Sequence, residues 1–297
     1  MLTFSRALCC LAASLAFIAP AYAENRRFSI EADPIPLVEA RVNGQDVRLE
    51  VDLSLPDIIV FNPDVAERLE VRTLPFTRAN VVLDEARISG RVARPRLEFQ
   101  DGERARAFAG VFALPVTERA DGVVGPGVLP YNEISIQFAP ARPGERDVVI
   151  DLDNPDVWSA NLSLAPDLTV RADLTLSRPS TLFNRSTTAG LESRRLLSPQ
   201  GDLETREFLL GLSTRMQPVV LDPSLTFFGI PIRRAIAFTP AEIIGADEEA
   251  AVFVTAESDA VPPPRLTLGA EDLRAACSSV TVNRGARTMT LRCAPPQ

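Results

Sequence analysis

The sequence has no histidine, and all 31 of its basic residues are arginine, so lysine is missing as well. Without imidazole or a primary side-chain amine, Ser-His-Asp and Cys-His nucleophilic sites, lysine Schiff bases and histidine-ligated zinc or iron are excluded. Carboxylates, hydroxyls and guanidinium groups remain, so proton transfer would fall to aspartate or glutamate. A formal charge of −8 lacks the basic surface that nucleic acid and anionic membranes select, so neither is expected as a partner. No cofactor and no metal is implied. Asp151, Asp153, Asn154 and Asp156 could offer oxygens to calcium, but the glycine and distal glutamate of a calcium loop are missing, and a polar turn at a strand end is the simpler reading.

Cysteine is scarce, and its four positions fall at the two ends: Cys9 and Cys10, then Cys277 and Cys293. Arg6 precedes an apolar stretch from Ala7 to Ile18, and Ala21-Tyr22-Ala23 has the small-x-small pattern of signal cleavage, so residues 1–23 read as an export signal. The expected mature chain begins near Glu24, lies in the periplasm or is secreted, and carries no segment for membrane insertion once the signal is removed. Cys277 and Cys293 flank a stretch centred on Gly285. A hairpin turning there sets the two sulfurs opposite each other, and in an oxidising compartment a disulfide is expected, adding about 3 kcal/mol. Two free buried thiols are the alternative.

Proline and glycine punctuate short runs rich in Val, Ile, Leu, Thr and Phe, a texture that reads as all-β. Leu37–Val42 and Val47–Val51 flank Asn43-Gly44, a type I′ hairpin signal. Arg96–Gln100 and Ala105–Phe112 flank Asp101-Gly102 and predict another hairpin of that kind, and a third is expected around Gly229-Ile230-Pro231. Short helices are expected over Pro63–Glu70, Ser186–Arg194 and Ala270–Ala276.

The same short pattern occurs twice, as VRLEVDLSL around Asp52 and LTVRADLTL around Asp173, each followed by a turn and a second apolar run ending in Phe-Asn. Gly125-Pro-Gly-Val-Leu129 and Gly269-Ala-Glu-Asp-Leu273 form a second matching pair, 144 residues apart, whereas the aspartates are 121 apart. A duplicated unit with internal insertions in its second copy follows. The expected division is an N-terminal lobe over 24–153 and a C-terminal lobe over 154–297. Duplicate logic pairs Ile134–Phe138 with Val148–Leu152 as a hairpin, matching Val280–Asn283 with Thr288–Arg292.

An apolar strand ending in Asp, a tight turn, a second apolar strand, and later an apolar-apolar-Gly step into a short helix resemble the aspartic peptidase fold. The likeness is to bacterial retropepsin-like proteins, duplicated in one chain as in pepsin-like enzymes. It rests on VNGQDVRLEVDLS, on ADGVVGPGVLPYNEISIQF, whose Ala120–Gly125 resembles the family's glycine motif, and on PRLTLGAEDLRAACSSVTVN. The resemblance implies two aspartic-peptidase-like β-barrel lobes, with Asp52 and Asp173 meeting between them as a catalytic pair. One carboxylate would activate water and the other protonate the substrate carbonyl, with a peptide or protein segment held in an interlobe cleft. Two positions depart from the family in both copies. Leu53 and Leu174 replace the hydroxyl residue that braces the paired loops, and Ser54 and Thr175 replace a glycine. The alternative is therefore a non-catalytic peptide-binding or envelope-assembly module on the same fold; an unrelated β-sandwich with an accidental repeat would share the texture. Asn80–Arg94 is a candidate flap, and Trp158, Phe227 and Phe228 are candidates for either a peptide groove or the core.

Overall fold

The computed structural model describes residues 26–83, 86–153, 158–209, 212–238, 252–253 and 262–295; the expected export signal and Asn154 and Asp156 lie outside them. The chain is all-β with three short helices among the described residues, and its sheets curl into half-barrels. It opens with β1 (Arg27–Glu31), β2 (Leu37–Val42), β3 (Gln45–Val51) and β4 (Ile58–Phe61), followed by α1 (Pro63–Arg68). Next come β5 (Thr73–Leu83), β6 (Ala86–Ala93), β7 (Arg96–Phe99), β8 (Arg104–Arg106), β9 (Phe108–Val111) and β10 (Gly122–Val124). A 3-10 turn over Pro126–Val128 leads to β11 (Glu133–Gln137) and β12 (Arg146–Asp151).

The second half begins with β13 (Ala160–Ala165), β14 (Leu168–Leu174), β15 (Thr181–Phe183) and α2 (Arg185–Ser193). Then follow β16 (Leu197–Pro199), β17 (Glu204–Leu209), β18 (Leu212–Leu221), β19 (Thr226–Phe227), β20 (Ile230–Pro231) and β21 (Ala235–Phe238). β22 (Val252–Phe253), β23 (Arg265–Leu268), α3 (Ala270–Ala276), β24 (Cys277–Asn283) and β25 (Thr288–Cys293) complete the chain.

The two halves repeat one topology. In the first, β10 lies between β3, to which it is parallel, and β4, to which it is antiparallel; β4 continues to β9, β9 to β6 and β6 to β5. In the second, β23 lies between parallel β14 and antiparallel β15, and the path continues through β21 and β18 to β17. Each half opens with an antiparallel pair, β2 with β3 and β13 with β14. Asn62 and Asn184 occupy matching places after Phe61 and Phe183, and each holds the chain leading to the inserted strand. Asn62 bonds Val116 N and the Thr117 and Ala120 carbonyls, while Asn184 bonds Arg265 N and the Pro263 carbonyl. Asn184 also caps α2 by accepting from Thr187 N.

A five-stranded sheet in the order β1-β11-β24-β25-β12 joins the halves, and one continuous apolar core runs through both, from Val51, Phe61 and Leu97 to Phe183, Leu268 and Val280. Here an expectation is corrected: β11 and β12 do not form a hairpin. β24 and β25 stand between them, because β11 pairs with β24 and β12 with β25. The β24–β25 hairpin itself is present, and Cys277 faces Cys293 across it in a disulfide.

The Asn43-Gly44 turn has both residues at positive φ (52° and 80°), as type I′ requires. After β7 only Gly102 is positive, so that turn is of another kind, and the strand beyond it breaks at Ala107 so that β9 can join β4 and β6. The third hairpin turns at Phe228-Gly229, one residue earlier than expected, and joins the two-residue strands β19 and β20, while β21 enters the main sheet.

Candidate functional site

Asp52 follows β3 at the point where the halves meet. Its backbone N–H donates to the Val124 carbonyl at 3.0 Å, continuing the parallel ladder to β10 by one residue. In the second half the same bond, to the Leu268 carbonyl at 2.9 Å, is made by Thr175 N. The loops that follow agree: Ser54 N donates to Asp52 Oδ1 at 2.9 Å, and Ser177 N donates to Thr175 Oγ1 at 3.1 Å. Hydrogen bonding thus matches Asp52-Leu53-Ser54 with Thr175-Leu176-Ser177, and Glu50 with Asp173. The residue equivalent to Asp52 is a threonine, two positions beyond the aspartate singled out by the repeated string.

The two matched side chains touch. Thr175 Oγ1 donates to Asp52 Oδ1 at 3.1 Å, both residues being buried, and the Ser54 hydroxyl donates to the same oxygen at 2.9 Å. Asp173 points to a different partner. Its side chain is fully buried, and Oδ2 accepts from Arg265 Nη2 and Nε at 2.6 and 2.9 Å. Its other oxygen, Oδ1, is buried without a hydrogen-bond partner. Neither aspartate is among the other's hydrogen-bond partners.

Glu50 repeats the arrangement of Asp173. It too is fully buried, and it accepts from Arg119 Nη2 at 2.8 Å and from the Thr117 hydroxyl at 3.0 Å. A buried acid one residue short of each strand end is therefore neutralised by a half-exposed arginine that comes from β23 in one half and from the loop before β10 in the other. Arg119 also crosses the seam to the Ser177 carbonyl at 2.9 Å. Taking a carboxylate out of water is costly unless it is paired and hydrogen-bonded, which is what these arginines supply.

Two glycines hold the loops close. A Cβ on Gly125 would lie 1.8 Å from the Pro56 carbonyl oxygen, and one on Gly269 would lie 2.3 Å from the Ser180 carbonyl carbon. Only glycine permits that approach of backbone to backbone. The aromatic candidates go to the core: Trp158 and Phe227 are both 2% exposed, the half-buried Phe228 ring meets that of Phe227 edge to face, and Trp158 Nε1 donates across the seam to Asp57 Oδ1 at 3.0 Å. The flap candidate Asn80–Arg94 falls within a longer hairpin of β5 and β6, in which Gly90 lies inside β6 against the Phe112 ring; residues 84–85 are outside the described set.

A groove of about 480 Å³ on the first half is lined by buried or half-buried Phe28, Phe99 and Tyr131 and by exposed Glu39, Arg48 and Asp101. Burial, aided by the hydrogen bond to Asp101, pushes the Tyr131 hydroxyl well above its usual range, so it stays a donor to that carboxylate. Among the described residues no group of three or more acids or cysteines is placed to hold a metal ion.

Of the residues singled out in the sequence, Cys277 and Cys293 form the expected disulfide, and Asp52 and the two glycines lie in the loops at the seam. Thr175, Arg119 and Arg265 were not among the candidate site residues that the sequence singles out; the available signal was Leu176-Ser177, which repeats Leu53-Ser54 after Thr175 rather than after Asp173. No family model matches the chain, and no curated protein matches it.

Proposed function

We propose that this chain is a non-catalytic binding or assembly module built on an aspartic-peptidase-like, two-lobed fold, exported to the periplasm or beyond the cell. The observation that carries this reading is the threonine opposite Asp52. Shared-proton hydrolysis needs a second carboxylate there, so that one group can be a base while the other is an acid. A threonine hydroxyl supplies a hydrogen bond but no titrating partner. The acid that the repeated string offers in the second half, Asp173, is spent on Arg265. The disulfide between Cys277 and Cys293 supports an oxidising location. The ligand of such a module is an extended peptide or an envelope protein segment taken by strand addition.

Two measurements test the reading. Incubation with unstructured protein substrates from acid to neutral pH is expected to give no cleavage; cleavage with an acid optimum that disappears in Asp52→Asn would overturn it. A thermal-shift screen with extended peptides and envelope proteins is expected to find a ligand that raises the melting temperature without being consumed. A screen in which nothing raises it removes the binding function.

A further inference from the structure

The halves differ most where the inserted strand is approached. In the first, β9 and β10 are joined by residues 112–121; in the second, the equivalent β21 and β23 are joined by residues 239–264. From that longer connection Val252 and Phe253 form β22, which leaves its own sheet and pairs with β6 of the other lobe. The pairing is antiparallel, with Val252 opposite Ile88 and Phe253 opposite Arg87.

β6 has two edges. One is taken by β5 along most of its length, and on the other β9 covers only Arg91, Val92 and Ala93. β22 sits on the outer remainder of that second edge. Beneath it, Ile88 is 4% exposed and belongs to a small apolar cluster with Val60, Phe112 and Val123, separate from the main core. The Phe112 ring lies so close to β6 that a Cβ on Gly90 would come within 2.6 Å of it. A strand edge that the chain itself fills with only the two-residue β22, above an apolar floor, supplies the two ingredients of strand addition.

We infer that the outer edge of β6, residues 87–90, is the seat for an extended apolar segment of a partner protein, and that Val252–Phe253 is the chain's own occupant of it. This rests on the binding-module reading and names its contact. A two-residue ladder provides few hydrogen bonds, each contributing about 1 kcal/mol net, so a longer partner strand gains by pairing at more positions. β-branched and aromatic residues suit the floor and the pleat alike.

The test uses a synthetic peptide of residues 250–256, Ala-Ala-Val-Phe-Val-Thr-Ala, titrated against the full chain and its Val252→Pro variant. Proline removes a backbone donor from the resident strand and frees the seat, so the variant is expected to bind the peptide about tenfold more tightly than the parent chain. Equal affinity for the two chains, or no binding to either, overturns the seat. Should the variant fail to fold, a benzophenone-bearing version of the peptide is cross-linked to the parent chain and mapped by mass spectrometry. Cross-links at residues 87–90 support the seat, and cross-links confined to other positions overturn it. The binding-module reading stands or falls separately, on whether any ligand stabilises the chain in the thermal-shift screen.

Discussion

Asp173 and Glu50 show what single residues cost and contribute at the seam. Among the described residues Arg265 is the only hydrogen-bond donor to the Asp173 side chain, whereas Glu50 has both Arg119 and Thr117. Arg265→Met leaves a carboxylate buried and uncompensated, and is expected to lower the unfolding free energy by about 3 kcal/mol, measured by urea denaturation. Arg119→Met is expected to cost less, since the Thr117 hydroxyl still donates to Glu50. Asp272 provides a pH test. Burial raises its pKa above the ordinary 3.8, only partly offset by hydrogen bonds from Thr181 and Arg233 N. The folded state then holds this proton more tightly than the unfolded state, so stability falls as pH rises through the window that opens at the ordinary value. Asp272→Asn should remove that part of the decline, as seen in melting temperature against pH. At this scale the sequence revealed acids at strand ends. It could not reveal which acid faces which partner, because Asp52 and Asp173 sit in near-identical strings and only the ladders to Val124 and Leu268 separate them.

Elements were more legible. The three helices fall within a residue or two of the expected spans, because Asn62, Asn184 and Gly269 mark where the chain leaves extended geometry. The first hairpin followed from Asn43-Gly44, since both residues adopt the positive φ that its turn demands. Failures came where a strand's partner is distant in sequence. Ala105–Phe112 was read as one strand, but β8 serves β7 while β9 serves β4 and β6. The matching glycines give this scale its prediction. Gly125→Ala and Gly269→Ala each drive a Cβ into backbone that has no flexible end to move, and each is expected to cost about 2 kcal/mol or more. Chemical denaturation checks it; an unchanged midpoint in both variants would contradict the close approach described above.

For the whole molecule, the strand order that recurs in the two halves accompanies strings that recur in the sequence. The seam could not be read from those strings, since its chemistry depends on a two-residue offset between string and ladder. Thr175→Asp tests the seam directly. It places a second carboxylate against Asp52, and like charges that close raise the pKa of one member of the pair. The folded variant then binds more protons than its unfolded chain, so its stability should fall more steeply than the parent's as pH rises from acid to neutral. Parallel pH dependence for the two proteins would mean that Thr175 does not face Asp52. Reduction of Cys277–Cys293 acts on the shared sheet, and is expected to lower stability by about 3 kcal/mol through the entropy regained by the unfolded chain.

The order of that shared sheet bears on how the protein is made. β12, which leads into the second half, has β25 as its ladder partner, and the described strands β13 to β24 lie between the two in sequence. A polypeptide emerging from its N-terminus therefore keeps β12 waiting until β25 arrives, with its ladder groups open to other chains in the meantime. Loss of β25 is expected to leave β12 without its ladder partner and so open the shared sheet where it enters the second half.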